Sequence, residues 1–192
     1  MNQERLQLPE RYGVLMEKSS ELGFSMASDR FVGSMLKTLV AAKPKGNFLE
    51  LGTGTGLSLA WMVEGMCKKS QLTTIDNDPE LTNMADTYFG NDDRVNIICG
   101  DAGTWINEYR GEPFDLIFAD AWPGKYADLD GTLALLSKGG FYVIDDMLPQ
   151  KNWPIGHEDN AARLIRDLET KKDLVLTKMN WSTGVILMTR KF

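Results

Sequence analysis

Two groups of residues in this chain have the types and spacing to do chemistry. The first is FLELGTGTGLS, residues 48–58, where Gly52, Gly54 and Gly56 alternate between an apolar run of strand length and a helical pattern. Glycines at such a turn reach backbone angles closed to other residues and let a ligand approach the main chain. The free N–H groups of the following helix add a positive end to the crevice. Glu50 stands two residues before the first glycine, and Asp76 closes the next apolar run, where a carboxylate accepts hydrogen bonds from ribose hydroxyls. The second group is acidic: Asp120 follows FDLIFA, and Asp145 with Asp146 follows FYVI. Three carboxylates brought to one edge suit a hard divalent cation, Mg²⁺ or Ca²⁺, with water and substrate oxygens completing its shell. Without a cation they repel one another, which raises at least one pKa and makes a general base available.

The elements that must position these residues follow from the hydrophobic pattern. From Gly46 onward, strand-length runs alternate with helical ones: FLEL then LSLAWMVEGMC, LTTI then PELTNMADTYF, VNIIC then AGTWINEY, FDLIFA then YADLDGTLALL, and FYVI then DNAARLIRDLE. This alternation predicts an α/β fold, a mostly parallel sheet with helices on both faces. LVLTKM and GVILMT are separated only by NWST, too short a crossover for parallel strands, so the last of seven strands is expected to run antiparallel. Residues 1–43 read as an N-terminal helical cap with one or two helices and Ser28 as a candidate N-cap. Residues 44–192 read as the ligand-binding domain, in one structural unit with the cap.

Spacing narrows the ligand of the glycine turn. The pattern is G-x-G-x-G rather than the dinucleotide pattern G-x-G-x-x-G, and Glu50 sits poorly beside a pyrophosphate but well beside a cationic amino-acid moiety. S-adenosylmethionine is favoured over NAD. At the end of the third strand, CGDAGTW places Asp101 and Ala102 where open α/β sheets bind ligands, although Asp101 also suits a plain helix N-cap.

With these motifs in view, the chain resembles the class I methyltransferases similar to the catechol and caffeoyl-CoA O-methyltransferases. The resemblance runs from Met26 to the C-terminus through SMASD, LELGTGTGLS, TTIDNDPE, CGDA, FDLIFADAWPGKY and GGFYVIDDM. It implies a Rossmann-like fold and methyl transfer from S-adenosylmethionine to a hydroxyl of a small-molecule acceptor, aromatic ones included. It assigns Glu50, Gly52 and Ser58 to the methionine part of the cofactor, with Gly54 and Gly56 in the same turn. Asp76 is assigned to ribose, Asp101 and Ala102 to adenine, and Met26 and Ser28 to a segment closing over the cofactor. Asp120, Asp145 and Asp146 stand at the metal positions, with Asp120 also next to the cofactor, and Trp122 falls where the family keeps a bulky residue. Two departures stand out: metal-dependent members have Asp-Asn where this chain has Asp145-Asp146, and a lysine where it has Pro123. Lys125, two residues on, is the candidate replacement for that activating lysine, which makes Asp120, Lys125 and Asp145 the expected catalytic set.

The loop DMLPQKNWPIGH brings Trp153 and the only histidine, His157, into position to wall an acceptor pocket. His157 itself reads as a surface or capping residue more readily than as a base. Trp181 is expected to pack. Cys67 and Cys99, in no metal or redox spacing, are expected to be buried reduced thiols. A net charge of −6 argues against a nucleic-acid partner. No apolar run reaches the roughly 20 residues that span a bilayer, and the N-terminus lacks the apolar core of a secretory signal, so a cytoplasmic location is expected. The resemblance also allows a homodimer. Two other functions fit part of the pattern: an S-adenosylmethionine-binding scaffold or sensor without turnover, and an NAD-dependent oxidoreductase, against which the glycine spacing and the closing hairpin both argue.

Overall fold

A computed structural model of the chain describes residues 6–150 and 153–192. The elements run α1 (Tyr12–Glu21), α2 (Arg30–Ala41), β1 (Asn47–Leu51), α3 (Leu57–Gly65), β2 (Gln71–Asp76), α4 (Pro79–Phe89) and β3 (Val95–Cys99). They continue with α5 (Ala102–Glu108), β4 (Phe114–Ala119), α6 (Leu129–Ala134), β5 (Leu136–Ile144), α7 (His157–Glu169), β6 (Leu174–Met179) and β7 (Val185–Arg190). The strands form one sheet in the order β3-β2-β1-β4-β5-β7-β6. The pairs among β1 to β5 are parallel, and β7 runs antiparallel to both β5 and β6. The expected α/β architecture with an antiparallel last strand is therefore what the chain adopts.

Strand alternation divides the core between the two faces. Phe48, Leu116, Phe118 and Val143 point to one side and are covered by α1 to α4 through Leu15, Leu36, Trp61 and Phe89. Leu49, Leu51, Ile117, Tyr142 and Ile144 point to the other, under Ile106, Leu133, Leu164 and Leu168 of α5 to α7. The helices of the N-terminal cap therefore share a core with the sheet. Tyr12 meets Trp61 edge-on at 5.7 Å, and Trp181 packs on Phe31 at 5.5 Å, the structural role expected of it.

Two local expectations are corrected. Asp29, not Ser28, caps α2 by accepting from the Phe31 N–H at 2.8 Å, because it is the residue directly before the first helical turn. Cys99 is exposed and Cys67 partly so; both are free thiols. Cys99 ends β3, which lies at the sheet's edge and has only β2 beside it. No helix among the described residues is long and apolar enough to cross a membrane.

Candidate functional site

The turn between β1 and α3 builds one wall of a cleft at the carboxyl ends of the strands. Gly52, Gly54 and Gly56 all hold positive φ (96°, 50° and 83°). At Gly52 the requirement is also steric: a Cβ would lie 2.9 Å from the Asp120 carbonyl oxygen, so any side chain would push β1 and β4 apart. Asp76 reaches in from β2 and accepts from the Gly54 N–H at 2.8 Å and the Asp78 N–H at 3.1 Å, tying the turn to the neighbouring strand end. The opposite wall is the segment before α2. The Ser28 hydroxyl donates to Asp120 Oδ2 at 3.1 Å, and the Phe24 ring covers Gly54. Between the walls lies a cavity of about 260 Å³ whose lining includes Met26, Ser28, Gly52, Gly54, Ser58, Asp76 and Asp120.

Glu50 lies under this turn with no exposed surface. Its Oε2 accepts from Thr74 at 2.6 Å, and Thr74 is bonded in turn to Thr53 at 2.6 Å; its Oε1 has no partner. Burial pushes its carboxyl up to about 7, against the opposing effect of the Ser58 and Thr74 hydroxyls. A buried acceptor left open beside a ligand cleft is a place prepared for a donor, and a cationic donor would also hold the carboxylate ionised. Asp101 and Ala102 are not part of the cavity lining. Asp101 caps α5, accepting from the Thr104 N–H and hydroxyl, both at 2.7 Å, and these bonds hold its carboxyl below the usual range.

The acidic residues occupy the next strands along. Ala119 and Ile144 are the last paired residues of β4 and β5, so Asp120 and Asp145 stand side by side one rung further. Burial and the neighbouring Asp145 charge push Asp120 well above the ordinary carboxylate range, and burial pushes Asp145 up to about 6. Asp145 accepts from the Asp146 N–H at 2.7 Å and from the Thr183 hydroxyl. Asp146 leaves the strand in the left-handed region at φ 55°. Although the three share one corner, no group of three His, Cys, Asp or Glu side chains among the described residues is close enough to hold a metal ion.

Lys125 belongs to the same corner. The Trp122 carbonyl accepts from the N–H groups of Lys125, Tyr126 and Ala127, folding residues 122–127 into a tight knot. Gly124 fits this knot between Leu51 and Tyr142; a Cβ there would lie 2.5 Å from Leu51, and the Tyr142 hydroxyl donates to the Gly124 carbonyl. The Lys125 side chain is only 6% exposed, and its charge lowers the pKa of Asp120, Asp145 and Asp146. Beside it Trp122, Tyr126, Trp153 and His157 form an aromatic group. His157 Nε2 lies 3.1 Å from the Tyr126 hydroxyl, Trp153 packs against the imidazole at 4.5 Å with the rings tilted by 55°, and Trp122 is 55% exposed. Lys151 and Asn152 of the same loop lie outside the described residues.

A model of the O-methyltransferase family matches residues 11–183. The chain belongs to the O-methyltransferase family. A Mycobacteroides abscessus protein named as an O-methyltransferase is 32% identical over 165 residues, 79% of this chain and 76% of its own length. A Mycobacterium avium protein of the same description is 34% identical over 119 residues, 59% of this chain and 53% of its own length. Among solved structures, the O-methyltransferase from Bacillus cereus in complex with S-adenosylhomocysteine superposes with TM-score 0.83 at 19% identity, covering 97% of this chain and 93% of that one. TomG from Streptomyces achromogenes, an O-methyltransferase of tomaymycin synthesis solved with S-adenosylmethionine, gives TM-score 0.84 at 20% identity, covering 98% and 92%. These two structures share the fold of the O-methyltransferase chain described here.

Of the family residues expected from sequence, the cavity gathers Met26, Ser28, Gly52, Gly54, Ser58, Asp76 and Asp120, with Glu50 beneath it. Phe24 is absent from that set: it is a lone aromatic between Gly23 and Ser25, and its position over Gly54 depends on how the chain returns from α1.

Proposed function

We propose that this member of the O-methyltransferase family binds S-adenosylmethionine in the glycine-turn cleft and methylates a hydroxyl of a small, planar acceptor. The observation that carries this reading is the unpartnered, fully buried Glu50 oxygen beneath a glycine cradle that no side chain fits. In this reading the open oxygen receives the ammonium of the methionine moiety, with Gly52, Gly54 and Ser58 alongside. Asp76 at the end of β2 accepts from the ribose diol. Asp101 and Ala102, at the end of β3, border the adenine, and the capping bonds of Asp101 fix where its carboxylate stands. When bound, the cofactor supplies a methyl group activated by the adjacent sulfonium.

The remaining residues orient the acceptor. Exposed Trp122 follows directly on Asp120 and Ala121 of the cavity wall, so the face it forms with Trp153 and His157 is available to stack a planar ring beside the cleft. Met26 and Ser28 cover the cleft and limit water, which favours transfer over hydrolysis. Among the described residues, the acidic corner does not bring three carboxylates close enough to seat a metal ion.

Isothermal titration is the direct test. One-to-one binding of S-adenosylmethionine and S-adenosylhomocysteine is expected, together with transfer of labelled methyl to a phenolic acceptor. A chain that binds neither compound does not have this function.

A further inference from the structure

We infer that the Lys125 ammonium is the resident cation of the acidic corner, and that it holds the acceptor oxygen as an oxyanion in the role a divalent metal would otherwise fill. The inference rests on the transfer function proposed above. It begins from a disagreement: three carboxylates stand at the positions expected of metal ligands, but one oxygen each of Asp120 and Asp145 is already engaged within the protein. Asp120 Oδ2 accepts from Ser28, and Asp145 Oδ1 accepts from Thr183 and from the Asp146 N–H. No three of these acids are close enough to share an ion among the described residues.

Positive charge is nevertheless present. Lys125 is 6% exposed, and its ammonium makes no hydrogen bond or ion pair with any described residue. Its Nζ lies 5.4 Å from the Tyr126 ring centroid. A buried ammonium normally recovers its lost hydration through close hydrogen bonds. This one is compensated by the face of the Tyr126 ring and, at longer range, by the field of Asp120, Asp145 and Asp146. All three of its N–H donors therefore remain available to an incoming oxygen. The backbone that carries it is fixed from below, since Gly124 is wedged against Leu51 and held by Tyr142. A charge fixed in advance where an oxyanion forms is the arrangement that stabilises such a species without reorganisation.

The chemistry balances without a further reactant. The acceptor hydroxyl gives its proton to water, and the resulting oxyanion pairs with Lys125. One oxygen lone pair then forms the O–CH₃ bond while the S–CH₃ bond breaks, its electron pair returning to sulfur as the neutral thioether. The acceptor class follows: a molecule with a single acidic hydroxyl, such as a monophenol, with no need for the chelating pair of oxygens that a metal would select.

The test has two independent arms. In the first, wild-type protein dialysed against EDTA is assayed with S-adenosylmethionine and a monophenol. Turnover is expected to be unchanged by EDTA, about 100-fold lower in Lys125→Met and partly restored in Lys125→Arg. In the second, Mg²⁺ and Ca²⁺ are titrated calorimetrically into EDTA-treated protein, without cofactor or acceptor. Wild type is expected to bind neither. Activity that EDTA removes and Mg²⁺ restores, or one-to-one Mg²⁺ binding by wild type, overturns the assignment. If no acceptor is methylated, the transfer reading fails, and the titration of wild type still decides the role of Lys125.

Discussion

The glycine turn after β1 and the acidic corner after β4 and β5 lie side by side on one sheet edge, yet they are built by opposite means. The turn is made of backbone: positive φ angles at alternate residues, N–H groups and a helix start, with Glu50 and Asp76 supplied by adjacent strand ends. The corner is made of side chains whose mutual distances depend on several loops, with its cation delivered from a six-residue knot. A turn of the first kind carries its function in a contiguous stretch of sequence. In a corner of the second kind, what the same three aspartates serve depends on how loops elsewhere in the chain place them.

Substitutions sharpen this contrast, beginning with the most severe. Gly52→Val places a side chain against the Asp120 carbonyl at φ 96°. It is expected to abolish S-adenosylhomocysteine binding by calorimetry and to lower stability by about 2–4 kcal/mol in denaturant melts. Wild-type affinity in this variant would show that the turn tolerates what its geometry forbids.

Glu50→Gln separates binding from stability. Cofactor affinity should fall about 10- to 100-fold, while the free protein becomes more stable at neutral pH. The sign follows from the raised carboxyl: below about 4.5 both folded and unfolded chains are protonated, and between about 4.5 and about 7 only the unfolded chain ionises. Stability attributable to this group is therefore lost as pH rises through that window, by about 3 kcal/mol, and the loss is constant above it. Thermal melts from pH 4.5 to 8 should show a shallower decline in the variant than in wild type; equal slopes would argue against an uncompensated Glu50.

Tyr142→Phe removes the hydroxyl that holds Gly124. A loss of about 1–2 kcal/mol is expected from the unsatisfied buried carbonyl, with kcat reduced more than cofactor affinity because only the lysine knot is loosened. Asp101→Asn is the mildest change. An asparagine caps α5 as well as an aspartate does, so stability should move by no more than about 0.5 kcal/mol. A several-fold loss in S-adenosylhomocysteine affinity would then report the adenine contact alone.

The same contrast explains what could be read in advance. Alternating strand and helix patterns, FLEL to DNAARLIRDLE, identify the α/β sheet because each apolar run must cover one or both faces of a layer. The turn NWST requires the antiparallel end. Glu50, Asp76 and the glycines are legible because strand ends and the first helical turn place them with little freedom. Ser28 is harder: as a cap it competes with its neighbour Asp29, and the loser is released to bond Asp120, 92 positions away. Lys125 is harder still, since its burial depends on Gly124 fitting between β1 and β5. Cys99 misleads because an apolar run does not reveal which strand will be left at the edge.

The Ser28–Asp120 bond also has a consequence for how the molecule opens. It joins the segment before α2 to the end of β4 across the cleft, so the cavity exists only while these two distant parts of the chain stay docked. A ligand bound between them draws free energy from that docking and returns it as protection against local unfolding. Hydrogen exchange should accordingly slow in α1, α2 and the end of β4 when S-adenosylhomocysteine is added, with little change in β6 and β7, and the occupied cleft would act as a clasp on the N-terminal third of the chain.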